Sequence, residues 1–180
     1  MKKKIIITGG LGYIGTELCK LYSGISWHHE IIVIDNRFIS ERVNQIRNWN
    51  MEFVQGDILD KELIKKYFKN ANIVHHLAGV TDVPRTKNDS SQEQDEKIKN
   101  VGENGTQNIL DVISDNCKII FPSTHVVYEG IEEVKIDIPE DVPTAPILSY
   151  AQSKAINEKQ LKNSGKNYII LRLGSVYGYS

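Results

Sequence analysis

Cysteine is scarce in this chain. Only Cys19 and Cys117 occur among 180 residues, and neither has a partner at metal-ligand or redox spacing. A disulfide framework and a thiolate metal centre are therefore excluded, and the pattern fits reduced thiols in the cytoplasm. Long apolar runs are missing as well, since no stretch approaches the ~20 residues that span a bilayer. Lys2, Lys3 and Lys4 ahead of Ile5, Ile6 and Ile7 imitate the start of a signal peptide. The five glycines from Gly9 to Gly24 and the charge of Glu17 spoil the apolar segment such a peptide needs. Neither sign of charge is in surplus: 22 basic against 23 acidic side chains leave a net of −1. Nothing here asks for nucleic acid or an anionic membrane as partner, and no acidic tail is present. The chain has no internal repeat beyond an alternation of short elements, no low-complexity tract and no interdomain linker. Its length is one domain's worth, sufficient for a single sizeable core.

What is present is concentrated at the start. Ile5, Ile6 and Ile7 form an unbroken β-branched run, as in a strand buried on both faces. Glycines follow at once, and Ile14, Leu18 and Leu21 then recur at helical spacing. Strand, glycine turn and helix are the context a dinucleotide-binding fingerprint requires. Gly10-x-Gly12-x-x-Gly15 fits the literal pattern, and Gly9-x-x-Gly12-x-x-Gly15 fits a wider one. In either, one glycine makes the turn, one admits a pyrophosphate close to the backbone, and one lets helix and strand pack tightly. The diphosphate then rests on free N–H groups at the positive end of the helix. Asp35 ends the next apolar run, 20 residues beyond Gly15, where a fingerprint acid binds the adenosine ribose hydroxyls. A carboxylate there repels a ribose 2′-phosphate and so favours NAD over NADP. Arg37, able in principle to hold that phosphate, is read as the lesser influence.

Further along, strand-like segments at 3–8, 31–35, 51–55, 72–77, 118–122 and 168–173 alternate with helical patterns at 12–23, 39–48, 61–68, 95–114 and 150–163. This alternation predicts an α/β fold, a Rossmann-type doubly wound parallel sheet with helices on both faces. Two long loops, the highly polar 81–94 and 129–149, follow strand ends, where open α/β sheets place ligands. The second contains Pro139, Pro143 and Pro146. Asp57, after the third strand, is placed to accept a hydrogen bond from an adenine amino group, or is simply a loop aspartate. His75 and His76 invite a metal, but adjacent strand residues face opposite ways and no third ligand is evident, so no metal is expected.

Tyr150 and Lys154 stand four apart at the opening of the last full helix, on one face. A phenol titrating near ~10 is a weak base at neutral pH, and a nearby ammonium favours its phenolate. That pairing suits removal of a proton from an alcohol while a hydride leaves the same carbon. The spacing alone proves little, and a surface Tyr–Lys pair is the bland alternative. Position adds weight, because the pair follows the fifth strand, whose end carries Ser123 and Thr124, hydroxyls able to bond a substrate oxygen.

The stretches ITGGLGYIG, GDI at Gly56 to Ile58, HLAG at His76 to Gly79, PSTHVVY, EDVPTAPILSYAQSK and LRLGSVYG together give the chain a clear likeness. It resembles the extended short-chain dehydrogenase/reductase superfamily, and within it the NAD-dependent nucleotide-sugar epimerase/dehydratase family of UDP-glucose 4-epimerase and its relatives. The resemblance implies NAD as cofactor and a nucleotide-diphosphate sugar as substrate. It places Gly9, Gly12 and Gly15, with the Tyr13 and Ile14 backbone, along the pyrophosphate. Asp35 and Asn36 go to the ribose, Asp57 and Ile58 to the adenine, and Leu77, Ala78 and Gly79 beside the cofactor. Thr124 is implied to bind the sugar hydroxyl and Tyr150 to be the acid/base. Lys154 is implied to orient the nicotinamide ribose and lower the tyrosine's pKa. The expected reaction is epimerisation through a transient keto sugar. The alternatives are a 4,6-dehydratase or reductase of the same family, or a non-catalytic NAD-binding module. Against dehydration, His125 and Val126 stand where dehydratases carry Asp-Glu. Other departures are Gly102, where the family usually has Asn before Gly105-Thr106, and Ser175, where many relatives bind substrate with Asn. The family's chain continues past this length into a smaller substrate-binding domain. Residues 1–180 are therefore expected to be the NAD-binding domain, with that second domain absent from this chain. A homodimer is expected through the helices around 95–114 and 150–163, with Ile109, Val112, Ile113, Ala155 and Ile156 as candidates for core or interface.

Overall fold

A computed structural model describes residues 2–80, 89–133 and 137–178. Among the described residues six strands lie parallel: β1 (Lys4–Thr8), β2 (Glu30–Asp35), β3 (Glu52–Gln55), β4 (Ile73–His76), β5 (Lys118–Thr124) and β6 (Asn167–Leu173). Their order across the sheet is β3-β2-β1-β4-β5-β6. The chain thus builds outward from β1 in one direction, returns to lay β4 on the other side of β1, and continues outward. The reversal opens a crevice at the C-terminal ends of β1 and β4, where Thr8 is paired with Ile34 on one side and His76 on the other.

Helices cover both faces, as the alternation predicts. On one, Ile6, Ile32, Val74, Ile119 and Phe121 pack with Ile64 and Phe68 of α3 (Lys61–Phe68), Ile109 of α5 (Gly105–Leu110) and Leu161 of α6 (Ser149–Asn163). On the other, Ile5, Ile7, Ile31 and Val33 pack with Cys19 of α1 (Tyr13–Ser23) and with Val43 and Ile46 of α2 (Ser40–Asn48). Alternate residues of the isoleucine runs therefore serve different cores, which is why these strands read as unbroken apolar stretches.

The expected long helix over 95–114 is different in detail. It begins earlier, as α4 (Gln92–Lys99), capped by Ser91 Oγ accepting from the Gln94 amide. It passes through a π-helical turn at Asn100–Asn104 and ends with α5 at Leu110. The wide turn lies against α6. Asn157 Nδ2 donates to the Gly102 carbonyl at 3.0 Å and Gln160 Nε2 to the Glu103 carbonyl at 3.0 Å. A Cβ on Gly102 would stand 2.2 Å from Ser153 Oγ, so the glycine leaves room for that hydroxyl in its present position. Of the apolar residues named for self-association, Ile109, Ile113 and Ala155 are buried within the chain itself. They belong to the core, whereas Val112 and Ile156 remain half-buried. Part of the expected loop at 81–94, residues 81–88, lies outside the described residues, as do 134–136 of the second loop. Among the described residues no helix is long and apolar enough to cross a membrane.

Candidate active site

The turn after β1 is built for close approach. Gly9 takes a positive φ of +66°, and a Cβ there would meet the Ala78 amide nitrogen at 2.7 Å. A Cβ on Gly15 would stand 2.4 Å from the Gly9 carbonyl oxygen, so α1 packs against its own entry turn. Gly12 is the N-cap of α1 and offers no side-chain cap. The first N–H groups of this helix are thereby left for a ligand, and the positive end of its dipole faces the same way. Gly12, Tyr13, Ile14 and Gly15 all line a cavity of about 520 Å³.

Asp35 is 5 % exposed and lines the same cavity. Its Oδ2 accepts from the Leu11 amide at 3.0 Å, and Oδ1 accepts from Arg37 N at 3.0 Å and Nε at 3.2 Å. The strand-tip acid therefore braces the glycine turn and holds Arg37, whose guanidinium also lines the cavity. Asn36 Nδ2 donates to Asp57 Oδ2 at 3.1 Å, and Asp57 Oδ1 accepts from the Leu59 amide at 2.9 Å. Ile58 is buried against Gly105, whose absent Cβ makes room for it. Together these form one end of the cavity.

Leu77, Ala78 and Gly79 make up the wall beyond β4. Beneath them the Ala78 amide donates to Thr8 Oγ1 at 3.1 Å. That hydroxyl is 3.1 Å from His76 Nδ1, and His76 Nε2 is 3.0 Å from Thr106 Oγ1. Burial, and then the Lys154 charge, push His76 down to about 3, so the ring is neutral. His75 faces the opposite side of the sheet, with Nε2 2.8 Å from the Tyr22 hydroxyl, and burial lowers it to about 4. The two histidines thus have separate partners, Thr8 and Thr106 for His76 and Tyr22 for His75. Among the described residues no group of His, Cys, Asp and Glu could hold a metal.

At the other end stand Thr124, Tyr150 and Lys154. Thr124 Oγ1 accepts from the Val126 amide at 3.3 Å, which leaves its own proton for a donor bond into the cavity. The start of α6 is held by Glu129, whose Oε1 accepts from the Ile147 and Leu148 amides at 2.7 and 2.6 Å. This places a carboxylate at the positive end of the helix. Lys154 Nζ donates to the Pro122 carbonyl at 2.8 Å and lies 4.4 Å from the Phe121 ring centroid and 5.8 Å from that of Tyr150. Burial lowers the ammonium to about 8. Burial also raises Tyr150 above its ordinary value. The implied lowering of the phenol by Lys154 is therefore not found in this structure. The ammonium is aimed at a carbonyl, and desolvation of the phenol dominates.

All fifteen residues expected at the site line this one cavity, save that Asn36 and Asp57 also pair with each other. Sequence reasoning missed Lys97 and Val101 on the α4–α5 helix, where no motif marks them. It also passed over Leu173, Gly174 and Val176, which lie inside the quoted stretch LRLGSVYG, whereas Ser123, expected to offer its hydroxyl to substrate, lines the cavity but donates that hydroxyl to Glu158 Oε1 at 2.7 Å. His125 is exposed, with Nδ1 3.2 Å from the Leu173 carbonyl, and Ser175 is exposed.

The residues present fit a dinucleotide. An uncapped helix N-terminus behind glycines stands mid-cavity, an acid-lined end lies to one side and a hydroxyl–phenol–ammonium end to the other. Comparison with known proteins agrees. The model of the NAD dependent epimerase/dehydratase family matches residues 5–180. CDP-paratose 2-epimerase of Salmonella typhi is 31% identical, with 97% of this chain covered and 58% of the relative. The dTDP-D-glucose 4,6-dehydratase of Dictyostelium discoideum is 30% identical over 98% of this chain and 44% of its own. The crystal structure of the Bordetella bronchiseptica enzyme WbmG in complex with NAD superposes with a TM-score of 0.80 at 25% identity, covering 99% of this chain and 55% of that one. The chain spans about half the length of the curated relatives it matches.

Proposed function

The chain belongs to the NAD dependent epimerase/dehydratase family, and from that footing we propose that it is the cofactor-binding part of a cytoplasmic, NAD-dependent nucleotide-sugar epimerase. Residues 1–180 form the Rossmann domain and carry the Thr/Tyr/Lys site, and a substrate-binding domain completes the enzyme. The observation that carries this reading is the single cavity joining the glycine turn and Asp35 to Thr124, Tyr150 and Lys154. NAD, when bound, supplies an acceptor for one hydride and returns it. Gly12 and the first N–H groups of α1 would hold the diphosphate, Asp35 with Asn36 the adenosine ribose, and Asp57 with Ile58 the adenine. Lys154 would hold the second ribose, and its charge near the phenol would favour the ionised form of Tyr150. Thr124 donates its free proton to the reacting sugar oxygen. Tyr150 removes the proton of that sugar hydroxyl as the hydride departs from the same carbon, leaving a keto group. After the sugar turns, Tyr150 returns the proton as the hydride adds to the opposite face.

Dehydration is the second reading, since a relative has that activity. The side chains after Thr124 disfavour it: Val126 cannot move a proton, and His125 is exposed on the Leu173 carbonyl. The proposed self-association uses Val112, two residues beyond the end of α5, and Ile156 of α6, both half-buried. Sedimentation equilibrium tests it, and a monomer at micromolar concentration removes it.

The function is tested on the full-length protein that carries this chain, with a panel of UDP-, GDP-, CDP- and dTDP-sugars followed by NMR. Epimers are expected from the wild type, and Tyr150→Phe should lose nearly all turnover while keeping NAD⁺ binding. Undiminished turnover in Tyr150→Phe would sink the mechanism.

A further inference from the structure

A third ionisable side chain follows Tyr150 and Lys154 along the same face of α6. Glu158 is 2 % exposed and has no part in the chemistry above. Its Oε1 accepts from Ser123 Oγ at 2.7 Å and Arg172 Nε at 2.9 Å, and its Oε2 accepts from Arg172 Nη2 at 2.7 Å. Lys162 Nζ lies 3.6 Å from Oε2. Burial pushes this carboxyl up, but the hydrogen bonds from Arg172 and Ser123 and the charges of Arg172 and Lys162 outweigh it, so the group lies below its ordinary value. Arg172, on β6, faces two ways. One side of its fork grips Glu158. Its Nη1 donates to the Glu140 carbonyl at 2.8 Å and to the Tyr128 hydroxyl, and the guanidinium lies 5.0 Å from the Tyr128 ring centroid.

A buried ion pair is weak grounds for claiming net stability. It does restrict geometry, because a carboxylate with several directional, charge-assisted partners has one favourable position. The partners here come from the elements that carry the site. Ser123 immediately precedes Thr124 on β5, α6 carries Tyr150 and Lys154, and Tyr128 and Glu140 belong to the segment leading into α6. The bond from Lys154 to Pro122 fastens β5 and α6 one helical turn earlier.

We propose that Glu158 and Arg172 are positioning residues that lock α6 onto the ends of β5 and β6, holding Tyr150 and Lys154 at a fixed height over Thr124. Arg172 also ties the segment around Tyr128 and Glu140 across the start of that helix. Only the kinetic consequence rests on the epimerase reading; the placement itself is read on the cofactor-free chain.

Glu158→Gln keeps the shape and an acceptor for Ser123 but removes the charge beneath Arg172. Arg172→Lys keeps the charge and gives up the fork. The readout is the Lys154 titration by side-chain ¹⁵N NMR, with circular dichroism confirming the fold. Loss of a nearby anion by itself lowers a lysine's pKa, whereas water reaching the ammonium raises it. In Glu158→Gln the midpoint is expected to rise by about one pH unit, with a smaller rise in Arg172→Lys. A merely destabilising change would not move a native-state titration in this direction. No movement, or a fall, in the folded variants overturns the proposal. If Glu158→Gln does not fold, Arg172→Lys alone decides. In the epimerase assay both variants should lower kcat about tenfold with KM for the sugar nucleotide little changed. Absence of turnover in every form would count against the function and leave the titration result standing.

Discussion

Lys154 gives its hydrogen bond to the Pro122 carbonyl, 2.8 Å away, and not to the phenol of Tyr150 four residues earlier. The ammonium is enclosed between the Phe121 ring and the cavity wall, and burial lowers it to about 8. A cation whose pKa falls on folding opposes folding wherever it is charged in both states, which here means below about 8. As pH rises from there toward ~10.4 the folded chain sheds its proton first and the opposition fades.

Lys154→Met should therefore stabilise the cofactor-free chain at pH 7. Allowing for solvent at the cavity mouth and the lost bond to Pro122, the gain is about 1 kcal/mol. Urea unfolding at pH 7 and pH 10 measures it, and the difference from wild type should shrink at the higher pH. NAD⁺ affinity should fall in the same variant. A destabilised Lys154→Met chain at pH 7 would show that the Pro122 bond outweighs the burial of the charge.

Cofactor choice is expected to be set at the other end of the cavity, where two residues would oppose each other. Asp35 repels a 2′-phosphate, but its carboxylate is partly neutralised by Arg37, paired at 3.2 Å. NAD⁺ is expected to bind more tightly than NADP⁺. Arg37→Ala should widen the gap about tenfold by exposing the carboxylate's full charge, and Asp35→Ala should narrow it. Asp35→Ala also strips the Leu11 amide of its acceptor, at a cost of about 1–3 kcal/mol. Titration calorimetry with both cofactors gives the ratios. An unchanged ratio in Arg37→Ala would leave Asp35 as the sole determinant.

Much of this site was legible from local chemistry. Ile5 to Ile7 reads as a doubly buried strand because its side chains feed both cores, and Gly9 and Gly15 are glycines because backbone crowds their Cβ positions. Ser91 and Gln94 form a helix-start signal that, given its due, places α4 correctly. Other features depend on partners distant in sequence. The π-helical turn at Asn100–Asn104 makes sense only beside Ser153 and Asn157, more than 50 residues on. Glu158 looks like a solvent-facing helix residue until Arg172 and Ser123 close over it. The direction of the Tyr150 shift likewise depends on enclosure, which spacing along a helix does not reveal.

The two histidines of β4 make the fold acid-sensitive. Burial holds His75 at about 4 and His76 at about 3, against ~6.5 in the unfolded chain. The unfolded state therefore takes up protons first as pH falls, and stability that is complete above 6.5 is lost from there down toward 4 and 3. At pH 5 the combined loss is roughly 3–4 kcal/mol. Urea unfolding at pH 7 and pH 5 should show it, and replacing His75 by Phe should remove part of the slope. Equal stability at the two pH values would mean that the histidines accept protons in the folded state.

Isotope labelling separates epimerisation from dehydration. In the epimerase reading Tyr150 exchanges only the hydroxyl proton with solvent, and the hydrogen on carbon travels as hydride and comes back. Elimination of water instead needs a base to remove a carbon-bound proton beside the keto group, and solvent then labels that carbon. The residue following His125 is Val126, its amide bonded to Thr124 and its side chain incapable of proton transfer. Product formed in D₂O by the full-length protein should therefore be an epimer with no carbon-bound deuterium, as judged by proton NMR. Deuterium on carbon together with loss of water would assign a dehydratase and require a base other than Val126.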